Sequence, residues 1–170
     1  MTAIIFPGQG SQYVNMSMDF NENFDVARKV FQEIEDNTQI NIRKIITDNP
    51  LDNLNQTNYT QISIFSASMA IYKSLLSEFG IEILKPKILL GHSLGEYSAL
   101  VAGNLINITD ASKLIKKRGE LMHSAIEPNV SGMAAIIGKN ADFIEDVINR
   151  NNLNIVIAND NSPMQVVVSG

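Results

Sequence analysis

Apolar positions along the chain come in two rhythms: short continuous runs, and longer stretches in which they recur every three or four residues. Ala3 to Phe6 is a run of strand length, stopped by Pro7-Gly8. Pro7 to Gln12 then reads as a tight loop. Phe24, Val26, Ala27, Val30, Phe31 and Ile34 recur at helical spacing with polar residues between them. Thr47 to Tyr59 is polar and broken at Asn49-Pro50, which predicts a connection with one short helical turn. Ile62 to Phe79 predicts a long helix, closed by Gly80 in the C′ position that favours left-handed backbone. Pro86 precedes Lys87 to Leu90, a strand apolar enough to be buried on both faces. Glu96 to Ala102 reads as a helix ending at Gly103. Thr109-Asp110 reads as the N-cap of a helix running to about His123.

From Glu127 to Ser131 the pattern breaks at a proline, and the boundary between two subdomains is expected there, dividing 1–128 from 129–170. Beyond it, Met133 to Ile137 predicts a strand and Ala141 to Arg150 a helix. Leu153 to Ala158 is a second strand, Asp160 to Pro163 a turn, and Gln165 to Ser169 a third strand. That β-α-β-β order is the first two-thirds of a ferredoxin-like unit. The class is therefore α/β.

Composition narrows the function. With 170 residues, 45% hydrophobic and 18% charged, the chain can build a real core. The net charge is −5, and the densest cationic cluster is Lys116-Lys117-Arg118, so free nucleic acid is not an expected partner. The absence of cysteine excludes disulfides and thiolate chemistry. Two histidines without cysteine offer no credible metal-ligand spacing, so no metal is expected. No run reaches the ~18–20 apolar residues of a membrane span, and the N-terminus lacks the basic region of a signal peptide. These features predict a soluble cytoplasmic protein with no membrane partner.

Gly91-His92-Ser93-Leu94-Gly95 matches G-x-S-x-G, between an expected strand and an expected helix. A strand that turns sharply into a helix leaves room only for glycines two residues to either side of the apex. Ser93 would then stand at a helix N-terminus, where N–H groups and the dipole favour a developing oxyanion. Two readings stay open: a nucleophile, or a strand-to-helix turn with Ser93 as its N-cap. An oxyanion hole needs two N–H donors, one after the nucleophile (Leu94) and one from a neighbouring loop, which Gln9 could supply. The Pro7–Gln12 loop could equally be a phosphate-gripping or plain turn. It is not a Walker loop, since no Gly-Lys-Ser/Thr follows, and Gly8-Gln9-Gly10 continues Ser-Gln-Tyr rather than closing a dinucleotide fingerprint.

FPGQGSQ after the first strand, Thr57 to Gln61 (TxxxQ), GHSLGEYSAL, KKRGELM, GMAAIIG and NSPMQVVVSG occur in that order. Together they resemble the malonyl-CoA:acyl carrier protein transacylases of fatty acid synthesis and the related acyltransferase domains of polyketide synthases, over the whole of this chain. The resemblance implies that 1–128 is the N-terminal part of a large α/β-hydrolase-like subdomain with a parallel sheet. Residues 129–170 would be the first part of a ferredoxin-like small subdomain. It implies transfer of a malonyl group from coenzyme A to the phosphopantetheine thiol of acyl carrier protein through an ester on Ser93, without a bound cofactor. Gln9 and Leu94 would supply the oxyanion N–H groups, Arg118 would bind the malonyl carboxylate, and Gln61 would lie close to the site. A guanidinium fork suits a carboxylate, and such a contact is worth roughly 1.5–3 kcal/mol, about 10- to 150-fold in selectivity. Read without the resemblance, Arg118 is one of three adjacent cations on a solvated helix face. Lys116 and Lys117 read as surface charge.

A serine nucleophile needs a base. His92 adjoins Ser93 and its side chain leaves the backbone in another direction, so it reads as structural. His123, at a helix end, suits the helix dipole. In the family that the chain resembles, the base is a histidine from a later segment. The expectation is therefore an N-terminal fragment that lacks the catalytic histidine and is a poor catalyst alone. Other readings are a stand-alone polyketide acyltransferase, a serine hydrolase using the same turn, and a non-catalytic fragment that binds carrier protein.

Overall fold

The computed structural model describes residues 2–125, 127 and 130–170, without the side chains of Ile81 and Ile83. They form two compact units, Met1–Ser124 and Ala125–Gly170. The expected boundary between 128 and 129 falls on Pro128 and Asn129, which lie outside the described residues.

In the first unit, β1 (Ala3–Phe6) pairs in parallel with β2 (Ile88–Gly91), Ala3 opposite Ile88 and Phe6 opposite Gly91. Between them run α1 (Met18–Asn23), α2 (Asp25–Thr38), α3 (Ile42–Asp48), a 3-10 segment (Pro50–Asn55) and α4 (Thr57–Leu84). After β2 come α5 (Gly95–Ala102) and α6 (Ile108–Ser124). Helix α4 is the centre of the unit. From Thr60 to Ala70 it is buried on nearly every side, which is why its sequence shows little amphipathic rhythm. Two of its buried hydroxyls are satisfied locally: Ser66 Oγ donates to the Ile62 carbonyl (2.7 Å) and Ser74 Oγ to Ala70 (2.8 Å), whereas the buried Ser63 Oγ has no hydrogen-bond partner among the described residues. Phe31, Ile34, Ile42, Ile46, Phe65, Met69 and Ile115 complete the core.

Several boundaries differ from the sequence reading. Helix α4 begins at Thr57, so the TxxxQ stretch lies in its first turns rather than in the preceding connection. Gly80 interrupts it with φ 72 and ψ 158, a glycine-type conformation whose ψ is extended rather than left-handed helical, and helical backbone resumes to Leu84. Helices α1 and α3 are too short to show periodicity. The second is capped by Asn41, whose side chain accepts from Lys44 N (3.3 Å). Helix α6 is capped two residues earlier than expected: Asn107 Oδ1 accepts from Asp110 N (2.7 Å), and Asn107 Nδ2 donates back to Asp110 Oδ2 (2.9 Å), a reciprocal cap.

Strand β2 is not buried on both faces. Ile4, Phe6 and Leu89 turn into the core, while Ile5 (69% exposed) and Leu90 (48% exposed) share the opposite, uncovered face. Beside β1, an apolar groove of about 390 Å³ runs along α4, lined by Ile5, Tyr13, Ile64, Ile71 and Leu75; neither Ser93 nor Arg118 lines it. No helix among the described residues is long and apolar enough to cross a membrane.

The second unit holds β3 (Met133–Ile137), α7 (Ala141–Asn151), β4 (Val156–Ser162) and β5 (Gln165–Ser169). The sheet order is β3-β5-β4 with antiparallel neighbours, the order of the first three strands of a ferredoxin-like unit. Ile144 of α7 packs with Val166 and Val168 as its small core. Asp160 to Ser162, expected as turn, continues β4 through two register shifts, leaving Pro163-Met164 as the turn.

Candidate active site

Ser93 joins β2 to α5 with φ 52, in the left-handed region that costs a non-glycine residue about 1–2 kcal/mol. Main-chain packing holds it there. A Cβ on Gly91 would lie 2.0 Å from Gly95 C, and one on Gly95 would lie 2.2 Å from the Phe6 carbonyl oxygen. The backbones of β1, β2 and α5 therefore touch at this turn, and only hydrogen fits at both positions. His92 N donates to Phe6 O (3.1 Å), and Gly95 N to His92 O (2.9 Å). Leu94, the N-cap of α5, is buried and already has helical backbone angles, so helical conformation begins one residue after the serine.

The Pro7–Gln12 loop rests on this turn. A Cβ on Gly8 would sit 2.5 Å from His92 O and 2.8 Å from His92 Nδ1. Gly10 has φ 105, and its N–H donates to Gln12 Oε1 (2.8 Å). The loop is tied to α4 as well: Gln9 Nε2 donates to Thr57 Oγ1 (3.1 Å). Gln9 is thus held between the elbow and the first turn of α4.

A third element closes the site. Helix α6 lies against the start of α4 at Gly119, where a Cβ would be 3.0 Å from Asn58 Cα and 3.2 Å from the Thr57 carbonyl oxygen. A glycine inside a helix costs about 1 kcal/mol against alanine, and here it permits the close approach. The preceding residue, Arg118, is half-buried and points into the site. Its Nη2 donates to Ser93 Oγ (2.9 Å), and its Nη1 donates to Gln61 Oε1. The Tyr97 ring lies 6.0 Å from the guanidinium carbon, the outer range of a cation–π contact. Gln61 is fully buried, and its Nε2 donates to Met122 Sδ (3.2 Å).

The arrangement therefore joins a strained, exposed serine hydroxyl, two main-chain segments at a helix start, and a cation that grips the hydroxyl. That is equipment for acyl chemistry on a substrate with an anionic group. Comparison with known proteins gives the family. The acyl transferase domain model matches residues 3–170.

The chain belongs to the acyl transferase family.

It is 37% identical over 170 residues to the malonyl CoA-acyl carrier protein transacylase of Haemophilus influenzae, covering 99% of this chain and 54% of that protein. The Coxiella burnetii malonyl CoA-acyl carrier protein transacylase structure matches with a TM-score of 0.91 at 34% identity, over 99% of this chain and 53% of that one. A chain in the structure of a type II PKS acyl-carrier protein in complex with its malonyl-transacylase matches with a TM-score of 0.90 at 34% identity, over 99% of this chain and 54% of that one. The chain spans about half the length of the relatives it matches.

In this acyl transferase chain, Ser93, Arg118 and Gln61 form one hydrogen-bonded group; Leu94 follows the serine as the N-cap of α5, and the Gln9 side chain is tied to Thr57. The three-cation cluster of α6 divides. Arg118 turns inward and Lys117 is exposed, but Lys116, expected as surface charge, donates to the carbonyl of Thr38 (2.8 Å) at the end of α2. A cation there complements the helix dipole. His123 is exposed in the last turn of α6. Sequence reasoning missed Thr57, Tyr97, Gly119 and Met122. A signal was available for two: Thr57 and Gln61, and Arg118 and Met122, are each four residues apart within one helix, the spacing that puts two side chains on one face.

Proposed function

We propose that this chain provides the nucleophile and the carboxylate-binding residues for transfer of a malonyl group from coenzyme A to the phosphopantetheine thiol of an acyl carrier protein, in fatty acid synthesis. The observation that carries the reading is the 2.9 Å hydrogen bond from Arg118 to Ser93 Oγ. In a malonyl ester of Ser93, one methylene separates the ester carbonyl from the free carboxylate. A guanidinium held beside Oγ is within reach of that carboxylate and has nothing to grip on an acetyl group.

Ser93 Oγ attacks the thioester carbonyl as its proton passes to a base, and the oxyanion is held by the N–H groups of Leu94 and Gln9. The C–S bond breaks, and coenzyme A leaves as a thiol after taking a proton. The carrier thiol then repeats the attack on the ester and frees Ser93. The base, on this reading, is neither histidine considered so far: His92 lies over Gly8, and His123 is exposed at the end of α6. The names of the relatives support the substrate, and a cytoplasmic location is part of the same reading.

The test is acyl loading of the full-length natural protein with malonyl-CoA, followed by intact mass. A gain of one malonyl group that Ser93→Ala removes supports the reading, and undiminished loading of that variant overturns it. Transfer to carrier proteins of fatty acid and polyketide pathways, compared side by side, assigns the pathway. Rapid release of the ester to water without any carrier protein would instead mark a hydrolase.

A further inference from the structure

Gln61 was expected only to lie near the site, and its surroundings suggest something more specific. The side chain is fully buried and spans one turn of α6: its oxygen accepts from Arg118 Nη1, and its nitrogen donates to Met122 Sδ at 3.2 Å. Arg118 and Met122 are four residues apart on the same helix face. A thioether sulfur has no proton to give and can only accept. The nitrogen of Gln61 is therefore drawn to Met122 and the oxygen is left for the arginine. The opposite orientation would set the amide N–H groups against guanidinium N–H groups, donor against donor. Nη2 of the same guanidinium is then presented to Ser93.

We propose that Gln61 and Met122 are positioning residues that aim Arg118: the sulfur fixes the sense of the Gln61 amide, and the amide oxygen fixes the plane of the guanidinium. Gln61 itself does not touch substrate. The inference rests on the reading of Arg118 as the carboxylate-binding cation. A guanidinium grips a carboxylate through two parallel hydrogen bonds only when its plane is right, so an arginine free to swing keeps its charge and loses the paired contact.

The test uses the full-length natural protein, with malonyl-CoA and acetyl-CoA as probes and steady-state loading as the readout. Gln61→Leu is expected to raise the malonyl KM about tenfold, the loss of one hydrogen bond to a charged group, with acetyl loading nearly unchanged. Met122→Leu keeps the volume and removes the acceptor; it is expected to raise the malonyl KM about two- to threefold with kcat preserved. Met122→Gln, which restores an acceptor at the same reach, is expected to recover part of that loss. Malonyl and acetyl loading falling in equal proportion in the leucine variants would overturn the proposal, as would an unchanged malonyl KM. Should Gln61→Leu fail to fold, Met122→Leu decides alone, because half of that side chain is exposed and the core does not depend on it. Arg118→Ala is run in parallel. If it leaves malonyl preference intact, the function assigned to Arg118 fails; if it abolishes the preference while the other variants do not alter it, only the positioning role fails.

Discussion

Around Ser93 the main chains of β1, β2 and α5 pack directly on one another, whereas around Arg118 two helices meet through side chains and a single glycine. The first contact is steric and nearly rigid. Adding one carbon at Gly91 or Gly95 drives it into backbone that has nowhere to go. The second depends on hydrogen bonds that can lengthen or exchange partners, each worth about 0.5–3 kcal/mol. A nucleophile needs a fixed direction of attack, and the backbone supplies it. Recognition of an acyl group needs a selective contact, and side chains supply that. Damage to the first region should therefore remove the fold or the reaction, and damage to the second should alter preference among substrates.

The largest expected effect tests whether the rigid region is the reacting one. Ser93→Ala should lower acyl loading at least ~1,000-fold, measured by intact mass, with the thermal midpoint within a few degrees of the parent. Retained loading would put the chemistry elsewhere. Next comes the steric claim itself. Gly95→Ala should cost about 3 kcal/mol or more, a fall on the order of 10 °C in the melting midpoint or loss of folded protein. A fall of only a degree or two would mean that the three backbones can move apart.

Smaller effects belong to the side-chain region. Arg118→Ala should reduce the preference for malonyl over acetyl about 10- to 150-fold, read from the ratio of kcat/KM values, while the melting midpoint stays close to that of the parent. Equal losses for both substrates would return Arg118 to the role of a surface charge. The smallest effect is expected for Gly119→Ala. Alanine gains about 1 kcal/mol of helix propensity, and the neighbouring backbone of Thr57 and Asn58 must give by a few tenths of an ångström, so stability should shift by less than about 1 kcal/mol. Because the same displacement moves Arg118, malonyl preference should still fall a few-fold. A stable variant with full preference would show that the α4–α6 spacing does not set the arginine.

The elbow was legible because its rule is local. Gly91 and Gly95 stand two residues either side of Ser93, between a strand-like and a helix-like run, and that pattern needs no partner to be recognised. The first strand and the strands β3 and β5 were legible for the same reason, through short apolar runs and turn residues, whereas β4 was expected three to four residues too early because its polar second half reads as turn. Reading faltered where burial overrides periodicity. Helix α4 is surrounded on almost every side from Thr60 to Ala70, so its pattern blurred and its start at Thr57 was lost. Strand β2, apolar throughout, suggested burial on both faces, yet apolarity does not say how many neighbours a strand has.

By itself the sequence determined the turn, the serine at its apex and the glycine-rich loop after β1, because steric rules over five or six residues leave few alternatives. Only the tertiary structure decided that one cation of Lys116-Lys117-Arg118 reaches the serine, that another ties down the end of α2, and that Gln61 and Met122 flank the arginine. Three neighbouring cations have the same local chemistry. What separates them is the helical rotation of about 100° per residue and the element that α6 meets at each angle, which is fixed by residues far away in the chain.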